Sequence, residues 1–113
     1  MIVVFSGTTE GRRLSHQLAA EGVAVTVCVA TEYGAAEQGS APGLAVHTGR
    51  MEAGEMAALL KGAALCVDAT HPYARQASEN IRAACGLAGV AYLRLLRPAS
   101  PLPGDALTAP DAP

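Results

Sequence analysis

The sequence predicts an α/β fold, a Rossmann-like doubly wound parallel sheet with the strand order 3-2-1-4-5. The first observation behind this prediction is that five short apolar runs alternate with segments of helical periodicity along the chain. The second is length, because 113 residues suit one domain with a single core. Right-handed crossovers between parallel strands then leave few possible strand orders.

The five predicted strands are short and apolar. The run at residues 23–29 is β-branched at most positions, which is typical of a strand. The last strand contains Arg94, which indicates a sheet edge or an exposed face. The predicted strands span residues 2–5, 23–29, 44–47, 64–69 and 91–96.

Three helices are predicted from apolar residues that recur every three or four positions. Leu14 and Leu18 give the first helix its packing stripe, and Gly22 ends it. Pro72 is expected in the first turn of the last helix, where no N–H is needed. Residues 35–43 are predicted to be a loop, with at most one helical turn at its start. The predicted helices span residues 9–21, 52–61 and 72–88.

A glycine-bounded loop follows the first strand. Gly7 can take a positive φ and lets the backbone approach a ligand, while the N–H groups at the start of the next helix attract an anion. Thr8 and Thr9 add hydroxyls and N–H groups that can bind a phosphate. Ser6 stands where a first glycine of the G-x-G-x-x-G fingerprint is expected, and Gly11 closes the loop. The loop predicts a phosphate site, and the alternative is a plain βα turn without a nucleotide.

The second strand ends near a carboxylate, that of Glu32. In dinucleotide-binding folds the group that meets the adenosine ribose lies there. An acidic residue favours the two ribose hydroxyls of NAD, whereas the 2′-phosphate of NADP calls for a basic residue. No Lys or Arg lies between Arg13 and Arg50. The alternative for Glu32 is a solvated loop carboxylate.

The fourth strand leads into Thr70, His71 and Tyr73. Thr70 and Tyr73 offer groups that can bind a polar substrate edge. His71 is a neutral donor or a titratable acid near neutral pH, and the alternative is a helix-cap residue. Asp68, late in an apolar strand, is more simply a carboxylate bonded to nearby backbone donors than a catalytic residue.

The predicted strand order brings two of these loops together. Its topological switch lies between the first and fourth strands, which is where ligands bind in such sheets. Residues 7–11 and 70–73 therefore flank the same crevice. This meeting of two unusual loops indicates a functional site.

Composition makes several classes of partner unexpected. The net charge is −2 and the eight basic residues are scattered, so neither nucleic acid nor an anionic membrane is an expected partner. Met1 is followed directly by a strand, and no apolar stretch approaches the ~20 residues that cross a bilayer. We therefore expect a soluble, cytoplasmic protein, and the sequence leaves its oligomeric state open.

Other patterns of catalytic or ligating residues are absent from the sequence. Cys28 and Cys66 fall in predicted strands and Cys85 in a helix, without a C-x-x-C spacing. Buried thiols are therefore expected rather than disulfides or a metal site. Neither a metal-ligand cluster nor a P-loop lysine nor a Ser/His/Asp arrangement is visible.

Three segments together resemble one known family. They span residues 6–12 (SGTTEGR), 29–34 (VATEYG) and 68–74 (DATHPYA). In this order they are similar to the precorrin-6A reductases of cobalamin biosynthesis, including the cobalt-precorrin-6A form. The resemblance runs from Met1 to about Arg97.

The resemblance implies that a ring double bond of a tetrapyrrole, precorrin-6A or cobalt-precorrin-6A, is reduced by hydride from NADH or NADPH. The residues that it places at the cofactor pyrophosphate are Gly7, Thr8, Thr9 and Gly11. Those that it places on the adenosine side are Thr31, Glu32 and Tyr33. Those that it places beside the nicotinamide and the tetrapyrrole are Thr70, His71 and Tyr73. His71 is the catalytic candidate, for orientation or protonation.

The predicted domain organisation departs from that family. Residues 1–97 are predicted to form the dinucleotide-binding domain, and residues 98–113, with five of the seven prolines, a linker or disordered tail. Members of the family continue into a second α/β domain that closes over the substrate. Reductase activity is therefore not expected from these residues alone, and the alternative function is a non-catalytic nucleotide-binding or regulatory module.

Overall fold

The computed structural model describes residues 1–72 and 74–95. The strands are β1 (Ile2–Ser6), β2 (Val25–Val29), β3 (Leu44–Thr48), β4 (Leu65–Ala69) and β5 (Tyr92–Arg94). The helices are α1 (Thr9–Ala20), α2 (Glu32–Gln38), α3 (Ala53–Leu60) and α4 (Arg75–Ala88). Among these residues, no helix is both long enough and apolar enough to span a bilayer. The predicted tail at 98–113 lies outside the described residues.

The five strands form one parallel sheet in the order β3-β2-β1-β4-β5, which confirms the predicted fold class and strand order. At the start of β1, Ile2 lies beside Val25 of β2 on one side and Leu65 of β4 on the other. The chain reverses its direction across the sheet when it passes from the β3 edge back to β4. The carboxyl ends of β1 and β4 are therefore the topological switch point, where a crevice opens.

Apolar side chains cover both faces of the sheet. Successive residues of β1 point to opposite faces, so this central strand is buried on both sides. The core on the α3 and α4 side includes Val3, Phe5, Met56, Leu60 and Ile81. The core on the α1 and α2 side includes Val4, Val27 and Val67, with Leu14 and Leu18 packed against them. The packing stripe predicted for α1 is thus confirmed.

The loop predicted at residues 35–43 is wrong for residues 35–38, because helix α2 spans Glu32–Gln38, and residues 39–43 lie outside the helix as predicted. Thr31 is the N-cap of this helix, and its hydroxyl accepts a hydrogen bond from the Gly34 N–H at 3.0 Å. The cap satisfies one of the N–H groups that a helix start leaves without an intrahelical partner. A helix this short shows little apolar periodicity, which is why the pattern favoured a loop.

Helix α4 begins at Arg75, later than the predicted start at Pro72. The Ala74 N–H donates a hydrogen bond to the His71 carbonyl at 2.9 Å, so the chain turns before the helix and Pro72 lies in this turn. Proline suits the second position of such a turn because its φ is fixed. The N-cap of α4 is Ala74, so the helix-cap alternative for His71 is wrong.

The three cysteines are confirmed as buried free thiols. Cys28 and Cys66 lie on β2 and β4, and Cys85 lies on α4. Burial raises the pKa of the Cys28 thiol to about 12, because the charged thiolate loses its hydration. This thiol therefore stays protonated and packs as a small hydrophobic group.

We expect the substitution Gly11→Ala to destabilise the fold. A Cβ at Gly11 would lie 2.8 Å from the Ala69 Cβ and 2.8 Å from the Ser6 Oγ. Both neighbours belong to central strands that yield little, so the free energy of unfolding should fall by about 1–3 kcal/mol. Urea denaturation followed by circular dichroism measures the change.

Gly86→Ala in α4 is the matched control, since nothing lies within 4 Å of the Cβ that it adds. Helix propensity should raise its free energy of unfolding by roughly 1 kcal/mol. A Gly11→Ala protein as stable as the wild type would contradict the close contact between α1 and β4.

Candidate functional site

The loops after β1 and β4 meet at the carboxyl edge of the sheet. The Thr8 hydroxyl donates a hydrogen bond to the Ala69 carbonyl at 2.9 Å. A Cβ at Gly7 would lie 3.7 Å from the Thr70 Cα. The two loops therefore border one crevice, as the predicted strand order requires.

The larger cleft at this edge has a volume of about 660 Å³. It extends from the start of α1, past the end of β2, to the last turn of α2. The structure brings most of the predicted site residues to it. Those that line it are Gly7, Thr8, Thr9, Thr31, Tyr33, Thr70 and His71.

The two loop glycines have different surroundings, and the expected contact of each with the cofactor pyrophosphate stays a prediction. Gly7 is not among the glycines with positive φ, so the expected left-handed turn is wrong. Gly11 is buried and does not line the cleft. It lets α1 approach Ser6 and Ala69 closely, which is the role of the third glycine in the dinucleotide fingerprint.

Thr8 and Thr31 cap the two helices beside the cleft. The Gly11 N–H donates to the Thr8 hydroxyl at 3.2 Å, and the Gly34 N–H donates to the Thr31 hydroxyl at 3.0 Å. A hydroxyl has one proton, and that of Thr8 is already donated to the Ala69 carbonyl. In this structure the Thr8 hydroxyl joins α1 to β4, and its expected contact with a phosphate stays a prediction.

Glu32 is not among the residues that line the larger cleft, although its neighbours Thr31 and Tyr33 are. It is the exposed first residue of α2 and does not line the cavity. Tyr33 and Glu37 of the same helix do line it, as does Arg12 of α1. The expected contact between the Glu32 carboxylate and the adenosine ribose stays a prediction.

A second cleft of about 440 Å³ lies on the α3 and α4 side of the same loops. Gly7, Thr70 and His71 line both clefts, so they form the wall between them. Arg50, in the loop after β3, also lines the second cleft. The apolar residues in its lining include Phe5, Cys28, Met56 and Ile81.

Asp68 anchors the loop after β4. Its side chain is fully buried, and its Oδ1 accepts hydrogen bonds from the Thr70 N–H at 3.1 Å and the Thr70 hydroxyl at 2.7 Å. The Tyr92 hydroxyl donates to Oδ2 at 2.7 Å. The Arg94 guanidinium lies 3.0 Å from Oδ1 and donates to the Thr70 carbonyl at 2.9 Å. Asp68 is thus confirmed as a carboxylate with a structural role, hydrogen-bonded to a nearby backbone N–H. The side chains of Tyr92 and Arg94 on β5 supply a further hydrogen bond and an ion pair.

Two opposing effects act on the pKa of Asp68. Burial raises the pKa, because it removes water from the carboxylate. Hydrogen bonds from Ser78, Thr70 and Tyr92 favour the charged form, and together they hold the pKa below its ordinary value of 3.8. Asp68 is therefore ionised at neutral pH and forms an ion pair with Arg94.

His71 is exposed and lines both clefts. Its backbone is held on each side, by the bonds of Asp68 and Arg94 to Thr70 and by the turn closed at Ala74. The imidazole is therefore presented at the wall between two cavities on a fixed segment of chain. The remaining predicted residue of this loop, Tyr73, lies outside the described residues.

Comparison with known proteins gives the family. The family model described as precorrin-6x reductase CbiJ/CobK matches residues 1–112. The chain belongs to this family. The resemblance carried by the three sequence segments is thereby confirmed.

Individual members of the family are similar over most of this chain. The cobalt-precorrin-6A reductase of Salmonella typhimurium is 43% identical over 99 residues, which are 86% of this chain and 37% of that protein. The precorrin-6A reductase of Sinorhizobium sp is 37% identical and covers 98% of this chain and 43% of its own length. This chain therefore spans less than half the length of these curated relatives.

A solved structure, a CobK precorrin-6A reductase, has the same fold. It superposes with a TM-score of 0.74 at 33% sequence identity and covers 93% of this chain. The match covers 41% of that reductase chain. The α/β architecture of this chain is thus found within a longer reductase.

Several residues that shape the site were not predicted from the sequence. Tyr92 and Arg94 reach Asp68 because β5 lies beside β4, so only the pairing of these strands reveals them. Ser15 and Gln38 form a buried hydrogen bond at 2.7 Å between α1 and α2. One signal for Ser15 was available, since this polar residue stands beside the apolar stripe of α1.

Asp68→Asn is expected to destabilise the protein in a pH-dependent way. At pH 7 the free energy of unfolding should fall by about 2 kcal/mol or more, because each hydrogen bond to a charged group contributes roughly 1.5–3 kcal/mol. The folded-state pKa of Asp68 lies below 3.8, so its stabilisation is present above that pH and is lost as the pH falls through the folded value. Denaturant unfolding measured between pH 7 and pH 2 should show that the difference in free energy of unfolding between wild type and Asp68→Asn shrinks as the pH falls.

Glu79→Gln, an exposed carboxylate on α4, serves as control and should change the free energy of unfolding by less than ~0.5 kcal/mol at pH 7. This role for the Asp68 charge would be ruled out if the difference in free energy of unfolding between wild type and Asp68→Asn grew as the pH fell.

Proposed function

We propose that this chain is the nucleotide-binding portion of a precorrin-6A or cobalt-precorrin-6A reductase in cobalamin biosynthesis. The reaction is reduction of a ring double bond of the tetrapyrrole by hydride from NADH or NADPH. The observation that carries this proposal is the pair of loops at the switch point, with Gly7, Thr70 and His71 between two clefts. Family membership and the precorrin-6A substrates named for the relatives support it.

The cofactor pyrophosphate is proposed to lie at the start of α1. The N-terminus of a helix attracts anions because its first N–H groups point outward and carry a partial positive charge. Gly11 and Thr8 keep this turn against β4, and Thr9 is its first helical residue. The adenosine side of the cofactor then meets the end of β2, where Thr31 and Tyr33 line the larger cleft.

The nicotinamide supplies the hydride, so the protein mainly orients the reactants and donates or accepts a proton. His71 is the residue that we propose for proton donation or orientation, because it lies on the wall shared by the two clefts. Thr70 offers polar groups on the same wall, although its hydroxyl is donated to Asp68. Together with Tyr73, these residues are proposed to border the tetrapyrrole.

The tetrapyrrole site is proposed to be completed by a second domain. The curated relatives are more than twice as long as the stretch that this chain matches. The clefts at the switch point are open, and a hydride transfer is favoured by exclusion of water from the reacting groups. A closing domain would supply that cover and the remaining contacts to the substrate.

Two measurements test the proposed function. Calorimetric titration of the protein with NADH and NADPH should give saturable binding of at least one of them. An anaerobic spectrophotometric assay of the protein in its full encoded length should then show reduction of precorrin-6A or cobalt-precorrin-6A. Binding without reduction of either substrate would support a non-catalytic nucleotide-binding module, and absence of binding would contradict both functions.

Arg12→Gln is expected to weaken binding of NADPH selectively. Arg12 lines the same cleft as Thr31 and Tyr33, the residues proposed for the adenosine side, and guanidinium groups bind phosphate strongly. Loss of one charge-assisted hydrogen bond should raise the Kd for NADPH about 10-fold or more and leave that for NADH within about 2-fold. Titration calorimetry with both nucleotides measures the ratio.

The control is Arg13→Gln, because Arg13 is exposed, follows Arg12 on the same helix and does not line the cleft. It should leave both dissociation constants unchanged. An equal loss of NADH and NADPH binding in Arg12→Gln would show that Arg12 contacts a group common to both nucleotides instead.

A further inference from the structure

The second cleft, of about 440 Å³, has an apolar floor. Phe5, Cys28, Met56 and Ile81 line it, and all four are buried residues of the core on the α3 and α4 side. A floor of this kind binds apolar rings, because it removes their surface from water. Polar and charged residues also line the cleft, so it suits a ligand with an apolar body and polar side groups.

Two arginines from different elements line the second cleft. Arg50 lies in the loop after β3, and Arg75 is the first residue of α4. No Asp or Glu is among the described residues that line this cleft. The larger cleft differs, because Glu10 and Glu37 line it beside Arg12. The charge of the second cleft therefore favours an anionic ligand.

Backbone hydrogen bonds fix the segments that carry the two arginines. The Gly49 N–H donates to a carbonyl at the end of β2 at 2.9 Å, which ties down the residue before Arg50. The Ala74 N–H donates to the His71 carbonyl at 2.9 Å and closes the turn before Arg75. Binding therefore has to order little more than the two side chains, which lowers its entropy cost.

Neither guanidinium has a carboxylate partner within the described part of the chain. Both residues are exposed, and the ion pair in that part joins Arg94 to Asp68. Glu79, one turn beyond Arg75 on α4, is exposed and does not line the cleft. Both guanidinium groups are therefore available to a ligand, and each can hold a carboxylate through two parallel N–H···O bonds.

The wall between the clefts relates this ligand to the nucleotide. Gly7, Thr70 and His71 line both clefts, so a molecule in the second cleft lies across this wall from the proposed cofactor. A volume of about 440 Å³ is near the low end of the ~300–1,000 Å³ typical of small-molecule sites. The second cleft therefore takes one edge of a macrocycle rather than the whole ring.

We propose that the second cleft binds one edge of the tetrapyrrole, with Arg50 and Arg75 pairing with its carboxylate side groups. This inference rests on the proposed reductase function. Tetrapyrroles of the corrin branch have an apolar ring edge that carries acetate and propionate groups. The apolar floor matches the ring and the two guanidinium groups match the acids, so these arginines select an acidic tetrapyrrole and orient it toward His71.

The test uses uroporphyrin I, a stable tetrapyrrole with acetate and propionate groups, as the probe. Titration of the protein in its full encoded length, followed by porphyrin fluorescence, should show saturable binding. Arg50→Gln and Arg75→Gln should each raise the Kd about 3- to 10-fold, the effect of one charge-assisted contact at a partly hydrated site. Arg50→Lys, which keeps the charge and loses the paired N–H groups, should recover part of the loss.

Arg13→Gln is the matched control, because Arg13 is exposed and lines neither cleft. It removes the same charge from the protein and should leave the Kd for uroporphyrin I unchanged. Added salt should weaken binding to the wild-type protein more than binding to the double variant Arg50→Gln/Arg75→Gln, since salt screens the contacts that the double variant lacks.

Titration with NADPH separates a carboxylate site from a phosphate site. The Kd for NADPH should stay within about 2-fold of the wild-type value in the double variant. A loss of NADPH binding there would show that the arginines contact cofactor phosphates, and it would overturn this inference. Uroporphyrin I binding that is absent from the wild-type protein, or unchanged in the double variant, would also overturn it. The proposed function fails separately, if neither NADH nor NADPH binds the wild-type protein.

Discussion

The ionised carboxylate of Asp68 sets the geometry of the site at the end of β4. A buried charge is costly unless hydrogen bonds and an opposite charge compensate it, and here both come from residues that shape the site. Thr70 bonds to it directly, and Arg94 bonds to it and to the Thr70 carbonyl. The loop that carries His71 is thereby tied to the central sheet and to the edge strand β5.

The opposite loop is tied to the same strand. The Thr8 hydroxyl binds the carbonyl of Ala69, the residue that follows Asp68, and Gly11 lets α1 lie close to β4. Strand β4 therefore supports both walls of the crevice. Rigid walls lower the entropy cost of binding, because little of the protein has to be ordered when a ligand enters.

Much of the fold could be predicted from the sequence, because central parallel strands are apolar on both faces and their runs stand out. The strand order followed from chirality and alternation, and it placed the two loops together. Helix α2 was missed because its few turns bury little apolar surface and depend on a cap at Thr31. This helix brings Glu37 to the larger cleft, which Glu10 of α1 also lines, whereas Glu32 does not line it.

The side-chain network was harder to predict than the fold. Arg94 was recognised only as a sign of an edge strand, yet it binds Asp68 across 26 positions of sequence. The bond between Gln38 and Ser15 spans 23 positions and joins two helices whose relative placement no local pattern specifies. Hydrogen bonds of this kind depend on distances between elements, whereas periodicity reports only which face of each element is buried.

The central claim is that a nicotinamide dinucleotide binds along the carboxyl edge of the sheet, at the switch point between β1 and β4. Amide chemical-shift mapping of the isotopically labelled protein during titration with NADH or NADPH tests this most directly. We expect the largest changes at Gly7, Thr9, Gly11 and Thr31, with α3 residues Ala57 and Leu59 unaffected. Saturable binding whose shift changes fall on α3 and leave the loop at residues 7–11 unchanged would contradict it.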